Sequence, residues 1–195
     1  MAKLRLSDIS DLRAYGRERE GFRAKVIAQK RLRRIALGPI VTVVFENAMT
    51  MRFQIQEMAR AEKMTTDELI QGELDAYNVL IPEPGELSMT LFIELTSEGQ
   101  LHEWLPKLVG IEQSVGLSIA GGAPIRCEVD ENHQAHLTRA DITASVHYLR
   151  IKLSPSQREA FAKGPASLLI DHLAYSNQSE LSDQTRASLV ADWSD

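Results

Sequence analysis

The run Ile40-Val-Thr-Val-Val-Phe45 is the most restrictive stretch of this chain. It is β-branched and nearly all apolar, and it is too short for a lone helix, so it reads as a strand buried on both faces. Gly38-Pro39 marks its start. Two further runs are β-like and too apolar to be left exposed: Leu87 to Leu95, which alternates into Leu91-Phe-Ile, and Ile142 to Leu153. Together the three predict one sheet.

Helical spacing surrounds them. Leu12, Tyr15, Phe22 and Val26 form one stripe of a helix over about Ser7 to Arg34, with Ser7 or Ser10 as its cap. Gly16 and Gly21 each cost about 1 kcal/mol against alanine in a helix interior, so that helix is expected in two pieces. Met51, Ile55, Met58 and Ala59 predict a helix over about 49–63, and Thr66 caps another to about Tyr77. Pro82-Glu-Pro84-Gly85 is a turn, and helix returns from Ser97.

The second half reads differently. Ser114 to Ala120 and Pro124 to Val129 are strands joined by Gly121-Gly122, which supplies the positive φ of a tight hairpin. Ser154 with Pro155 starts a short helix, Ser167 to Asp171 is a strand, and a last helix spans Ser182 to about Asp192. The expected fold is therefore α+β, a largely antiparallel sheet packed with several helices, the first half helix-rich. A single compact domain over 1–195 is expected, divisible at most into lobes 1–110 and 111–195.

Composition narrows function by exclusion. With 44% apolar and 25% charged residues among 195, the chain can bury a core and is neither fibrous nor disordered. No apolar run approaches the roughly 18 residues of a membrane span. Cys127 is the lone cysteine, which forbids an internal disulfide or a Cys-rich cluster and suits a reducing compartment. A cytoplasmic location is expected.

Charge is unevenly placed. Residues 1–34 carry eleven of the 22 Lys and Arg residues against four of the 27 acids, a balance of +7 that leaves the remainder at −12. Lys30, Arg31, Arg33 and Arg34 crowd the end of the first predicted helix, where cations favour the negative end of its dipole. Arg31, Arg33 and Arg34 are candidate partner-binding residues. The alternatives are ion pairing with acidic neighbours, within the chain or between copies in a homo-oligomer, or contact with nucleic acid. No aromatic residues interleave these cations for base stacking, which disfavours nucleic acid.

No phosphate-binding GxxxxGK[ST] loop, GxGxxG, GxSxG or HExxH motif is present. Cys127 lacks a sequence-adjacent base. His133 and His136 have the HxxH spacing that two metal ligands need, with Glu128, Asp130 and Glu131 just upstream and His147 or His172 as candidates for a third ligand; solvated loop residues are the ordinary alternative. Zinc or iron would be the metal. No catalytic residue and no other cofactor is predicted.

GPIVTVVFENAMTMRFQIQEMARAEK, then ELDAYNVLIPEPGELSMTLFIEL, LPKLVGIE and LTRADITASVHYLRIKLS follow one another through nearly the whole chain. Their order resembles the bacterial family catalogued as domain of unknown function 3501. The resemblance implies no established activity. It implies, by association, a role beside rubrerythrin-like and iron–sulfur oxidoreductase-like proteins in redox or oxidative-stress systems. The function expected is that of an accessory or protein-binding protein rather than an enzyme, with a metal-binding protein and a nucleic-acid binder as alternatives.

Overall fold

A computed structural model of the chain describes residues 3–129 and 142–193. The buried run becomes strand β2 (Val41–Glu46), every residue of which is buried. It pairs antiparallel with β1 (Arg34–Ala36) and with β3 (Glu86–Ile93), and β3 pairs with β7 (Val146–Lys152). A short β6 (Glu128–Val129) closes this five-stranded sheet, in the order β1-β2-β3-β7-β6. A second, four-stranded sheet has the order β5-β4-β8-β9, from β4 (Val115–Ile119), β5 (Ile125–Arg126), β8 (Ala166–His172) and β9 (Tyr175–Glu180). All the pairings are antiparallel, and with six α-helices among the described residues the fold is α+β.

Strand alternation sends Val41, Val43 and Phe45 of β2, and Leu87, Met89, Leu91 and Ile93 of β3, into one apolar cluster with Leu117, Leu168 and Ile170 of the second sheet. The other face of β2 buries Thr42, Val44 and Glu46, and helix α1 (Leu12–Arg33) packs against this strand. Both faces of β2 are thus covered, as its composition demands. Helix α2 (Ala48–Ala61) packs beside α1 and α3 (Asp67–Asn78) beside α2, and α4 (Glu98–Lys107) starts on a Ser97 cap. Helix α5 (Pro155–Lys163) and helix α6 (Asp183–Ala191) flank the second half, contributing Phe161 and Leu189 to the core.

Four expectations are corrected. Helix α1 runs unbroken through Gly16 and Gly21, because burial of Tyr15, Val26 and Arg33 along one side anchors it beyond the propensity penalty. Its cap is Asp11, whose Oδ1 accepts from the amides of Arg13 (2.9 Å) and Ala14 (2.8 Å), while residues 6–8 form a separate 3-10 turn. The stretch 124–129 divides at Cys127, so that β5 joins one sheet and β6 the other, turning a corner between the two layers. The positive φ of the β4–β5 turn falls on Ala120 (+50°) and Gly121 (+73°), not on Gly122.

Candidate functional site

Helix α1 is long, about 33 Å at 1.5 Å per residue, and only one side of it is buried. Gaps of four, seven, four and three residues bring Arg13, Arg17, Ala24, Ala28 and Arg31 to the opposite side. Arg23 and Ile27 lie on one flank of that strip, Lys25 and Leu32 on the other, all exposed. Glu20 is the one carboxylate on the strip. Ile27 and Leu32 are 38% and 40% exposed.

The cations of α1 divide into two sets. Those turned toward the protein are paired: Arg19 with Glu57, Lys30 with Glu46 at 3.8 Å, and Arg33 with Asp192. Arg13, Arg17, Arg23, Lys25 and Arg31 take part in none of the ion pairs among the described residues. Five unpaired cations around exposed aliphatic residues make a surface suited to an acidic partner.

The three arginines singled out in the sequence separate here. Arg31 stays on the open face. Arg33 is 1% exposed and is removed from any partner surface: its Nη1 and Nη2 donate to Asp192 at 2.5 and 2.9 Å, while Nε and Nη2 reach Ser188 Oγ (3.0 Å) and Ser188 O (2.6 Å). Arg34 begins β1 and forms an exposed pair with Glu94, which also accepts from Thr42 Oγ1 at 2.6 Å. The Thr42 hydroxyl and the Arg34 guanidinium hold the Glu94 carboxyl below the usual range. Ile27 and Leu32 were missed in the sequence, although both fall outside the Leu12, Tyr15, Phe22 and Val26 stripe.

Inside the fold, Glu57 gathers Tyr15 Oη (2.6 Å) and both Nε and Nη2 of Arg19 (2.8 and 2.7 Å). Arg19 is the main cause that lowers the Glu57 carboxyl to about 2. Burial, with Glu57 beside it, pushes the Tyr15 hydroxyl up. This network joins α1 to α2 and so fixes how α1 presents its open face.

His133 and His136, with Asp130 and Glu131, lie outside the described residues. His147 is buried on β7: its Nε2 lies 2.9 Å from Ala144 O and 3.0 Å from Thr143 Oγ1, and its Nδ1 faces the buried Glu112 at 3.9 Å. Ala144 O can only accept, so Nε2 carries the proton. Burial holds the imidazole below its ordinary range, with Glu112 opposing. His172 is elsewhere, its Nε2 3.1 Å from Val109 O. Asp171, its neighbour, is engaged by Arg126. Among the described residues no three His, Cys, Asp or Glu side chains come together as a metal site. Cys127 is buried at the corner between the sheets, and burial pushes its thiol up to about 12, which removes nucleophilic character near neutrality.

No described helix is long and apolar enough to cross a membrane. A family described as protein of unknown function (DUF3501) matches residues 3–193. No curated protein matches. A crystal structure of a novel protein of unknown function from Burkholderia pseudomallei K96243 is 35% identical and superposes with a TM-score of 0.90, covering 98% of this chain and 99% of that one.

Proposed function

The chain belongs to the DUF3501 family of proteins of unknown function, and on that premise we propose that it is an accessory, protein-binding protein that docks an acidic partner on the solvent face of α1. One observation carries the reading. Arg13, Arg17, Arg23, Lys25 and Arg31 form no ion pair among the described residues, Arg13 and Arg17 acting on Asp11 only at longer range, on a helix whose inward cations are all paired. Each exposed ion pair formed with a partner contributes about 0.2–1 kcal/mol, so the cations act mainly by steering and register. Ile27 and Leu32 supply the apolar contact that excludes water. A second copy is a poor occupant of the same face, because an antiparallel pair centred on Ala24 sets Arg17 against Arg31.

Rubrerythrin-like and iron–sulfur proteins are the first partners to test, on the association that the sequence resemblance suggests. Capture from the native host is compared between the wild-type chain and Arg17→Glu/Arg31→Glu, with captured proteins identified by mass. The expected result is an acidic protein of one of those kinds that the variant no longer retains. Identical capture by both baits overturns the proposal. Retention of duplex DNA that weakens steeply between about 50 and 200 mM salt would assign the face to nucleic acid instead.

A further inference from the structure

Residues 3–10 lie across the helices as a strap, extended at Arg5 and Ile9 on either side of the 3-10 turn of residues 6–8, and the contacts at its two clasps read its main chain. The side-chain amide of Asn78 accepts from Leu4 N (2.8 Å) and donates to Leu4 O (2.9 Å). Gln56, itself fully buried, does the same for Ser10 at 2.8 and 3.0 Å. Each amide thereby imitates a neighbouring β-strand, pairing with both backbone groups of one residue. Each clasp reads the main chain of one residue and is indifferent to the side chain it carries.

Sequence is read at one end. Lys3 Nζ donates to Ile81 O (2.6 Å) and meets the Glu83 carboxylate at 3.1 Å. That lysine is the main cause of the lowered Glu83 carboxyl. Leu4 packs against the buried trio Met51, Leu80 and Ile81, which Tyr77 and Tyr148 flank. Between the clasps Arg5, Leu6, Ser7 and Asp8 are exposed, in a turn closed within itself by Asp8 N donating to Arg5 O (2.9 Å) and Ile9 N to Leu6 O (3.0 Å). A cleft of about 370 Å³ opens beside Leu6 and Ile9, floored by Ala59, Met64 and Ile70. Between its clasps such a segment gives up little packing when it leaves, and the contacts it must break are those of Lys3, Leu4 and Ser10.

We infer that the groove formed by α2, α3 and residues 79–83 is a peptide-binding groove, occupied in the resting protein by the chain's own residues 3–10. Its outside ligand is a segment of a partner protein that carries a cation followed by an aliphatic residue and then a tight turn, to meet Glu83 and the Met51, Leu80 and Ile81 trio. The strap competes with that segment. None of the α1 cations takes part in the Leu4 or Ser10 clasp, although Arg13 also lines the cleft beside Leu6, and the inference does not rest on the reading given to the α1 face.

The test uses the full chain and a dye-labelled peptide of residues 1–10 as the probe, followed by fluorescence anisotropy. Lys3→Glu/Leu4→Asp is introduced to release the strap, and hydrogen exchange over residues 4–10 checks that it has done so. The released chain is expected to bind the peptide at least about tenfold more tightly than wild type, because the wild-type groove is occupied. A peptide carrying the same two substitutions is expected not to bind. Equal peptide affinity for wild type and released chain overturns the inference, as does binding of the substituted peptide. Unchanged hydrogen exchange in Lys3→Glu/Leu4→Asp also overturns it, since these contacts would then not hold the strap. A wild-type dimer that dissociates on strap release would place the segment in a second copy and overturn the intramolecular occupancy. The cations of α1 are untouched throughout, so the outcome is independent of partner docking there.

Discussion

Replacing Arg33 by methionine isolates the strongest polar link between the first helix and the last. The guanidinium is 1% exposed, and the substitution removes its four hydrogen bonds to Asp192 and Ser188 together with the charge. Asp192, 11% exposed with Arg33 in place, then keeps the Asn47 amide at 3.1 Å as its remaining partner among the described residues. Breaking a buried pair from one side costs about 3–5 kcal/mol, because the surviving charge has lost both water and counterion. At roughly 2–4 °C per kcal/mol for a chain of this size, the melting temperature falls by about 10 °C. The double variant Arg33→Met/Asp192→Leu leaves no orphaned charge and is expected to recover most of that loss. Urea unfolding at pH 7, with the slope against denaturant held constant, measures both. A loss below about 1 kcal/mol in Arg33→Met, or simple additivity in the double variant, would refute the assignment of this pair as the link.

Glu57→Gln is expected to cost about 1 kcal/mol near neutrality after solvent screening. Because the native carboxyl sits near 2 against an ordinary 4.5, that contribution is present above pH 4.5 and vanishes as pH falls toward 2, so wild-type and variant melting curves should converge over that window. Gly38 has φ +79°, and a Cβ there would lie 2.5 Å from Tyr175 Oη, which donates to Leu37 O; Gly38→Ala should cost about 1–3 kcal/mol, and a neutral result would remove the steric argument. Native Cys127 should resist thiol reagents at pH 8 and react only at the rate of unfolding; prompt stoichiometric labelling would contradict its burial. Val43→Asp places a charge on a fully buried strand residue and should abolish cooperative unfolding, a result that circular dichroism reads directly.

Where the sequence carried a strong apolar period, the structure followed it. Val41–Glu46 is buried on both faces, and the Leu12, Tyr15, Phe22 and Val26 stripe turns inward. Strand β9 escaped because Tyr-Ser-Asn-Gln-Ser-Glu has almost no apolar content, and it forms at a sheet edge where β8 supplies the pairing. Its alternation is one of exposure rather than of hydrophobicity. Proximity was equally hidden. Arg33 looked like its neighbours Arg31 and Arg34, and only its register on the helix, seven residues beyond Val26, placed it inward beside Asp192. The strap was invisible for a different reason: amides that clasp a backbone have no sequence pattern, and Asn78 and Leu4 are far apart in the chain.

The buried and open sides of α1 are two halves of one device. Tyr15 and Arg19 tie its start to α2 through Glu57, and Arg33 ties its end to α6 through Asp192. A helix fastened at both ends presents Arg13, Arg17, Ile27 and Arg31 in a fixed register, so the partner proposed above would not have to order them on binding. The unbroken passage through Gly16 and Gly21 fits this, since neither glycine meets a neighbouring group that would exclude a side chain. Gly16→Ala and Gly21→Ala together should therefore stabilise the chain by up to about 1–2 kcal/mol. If the open face acts as a rigid docking surface, the same double substitution leaves partner affinity unchanged or slightly raised. Weakened partner binding in a stabilised Gly16→Ala/Gly21→Ala chain would mean that α1 must bend to engage, and the fixed-register account of the face would fail.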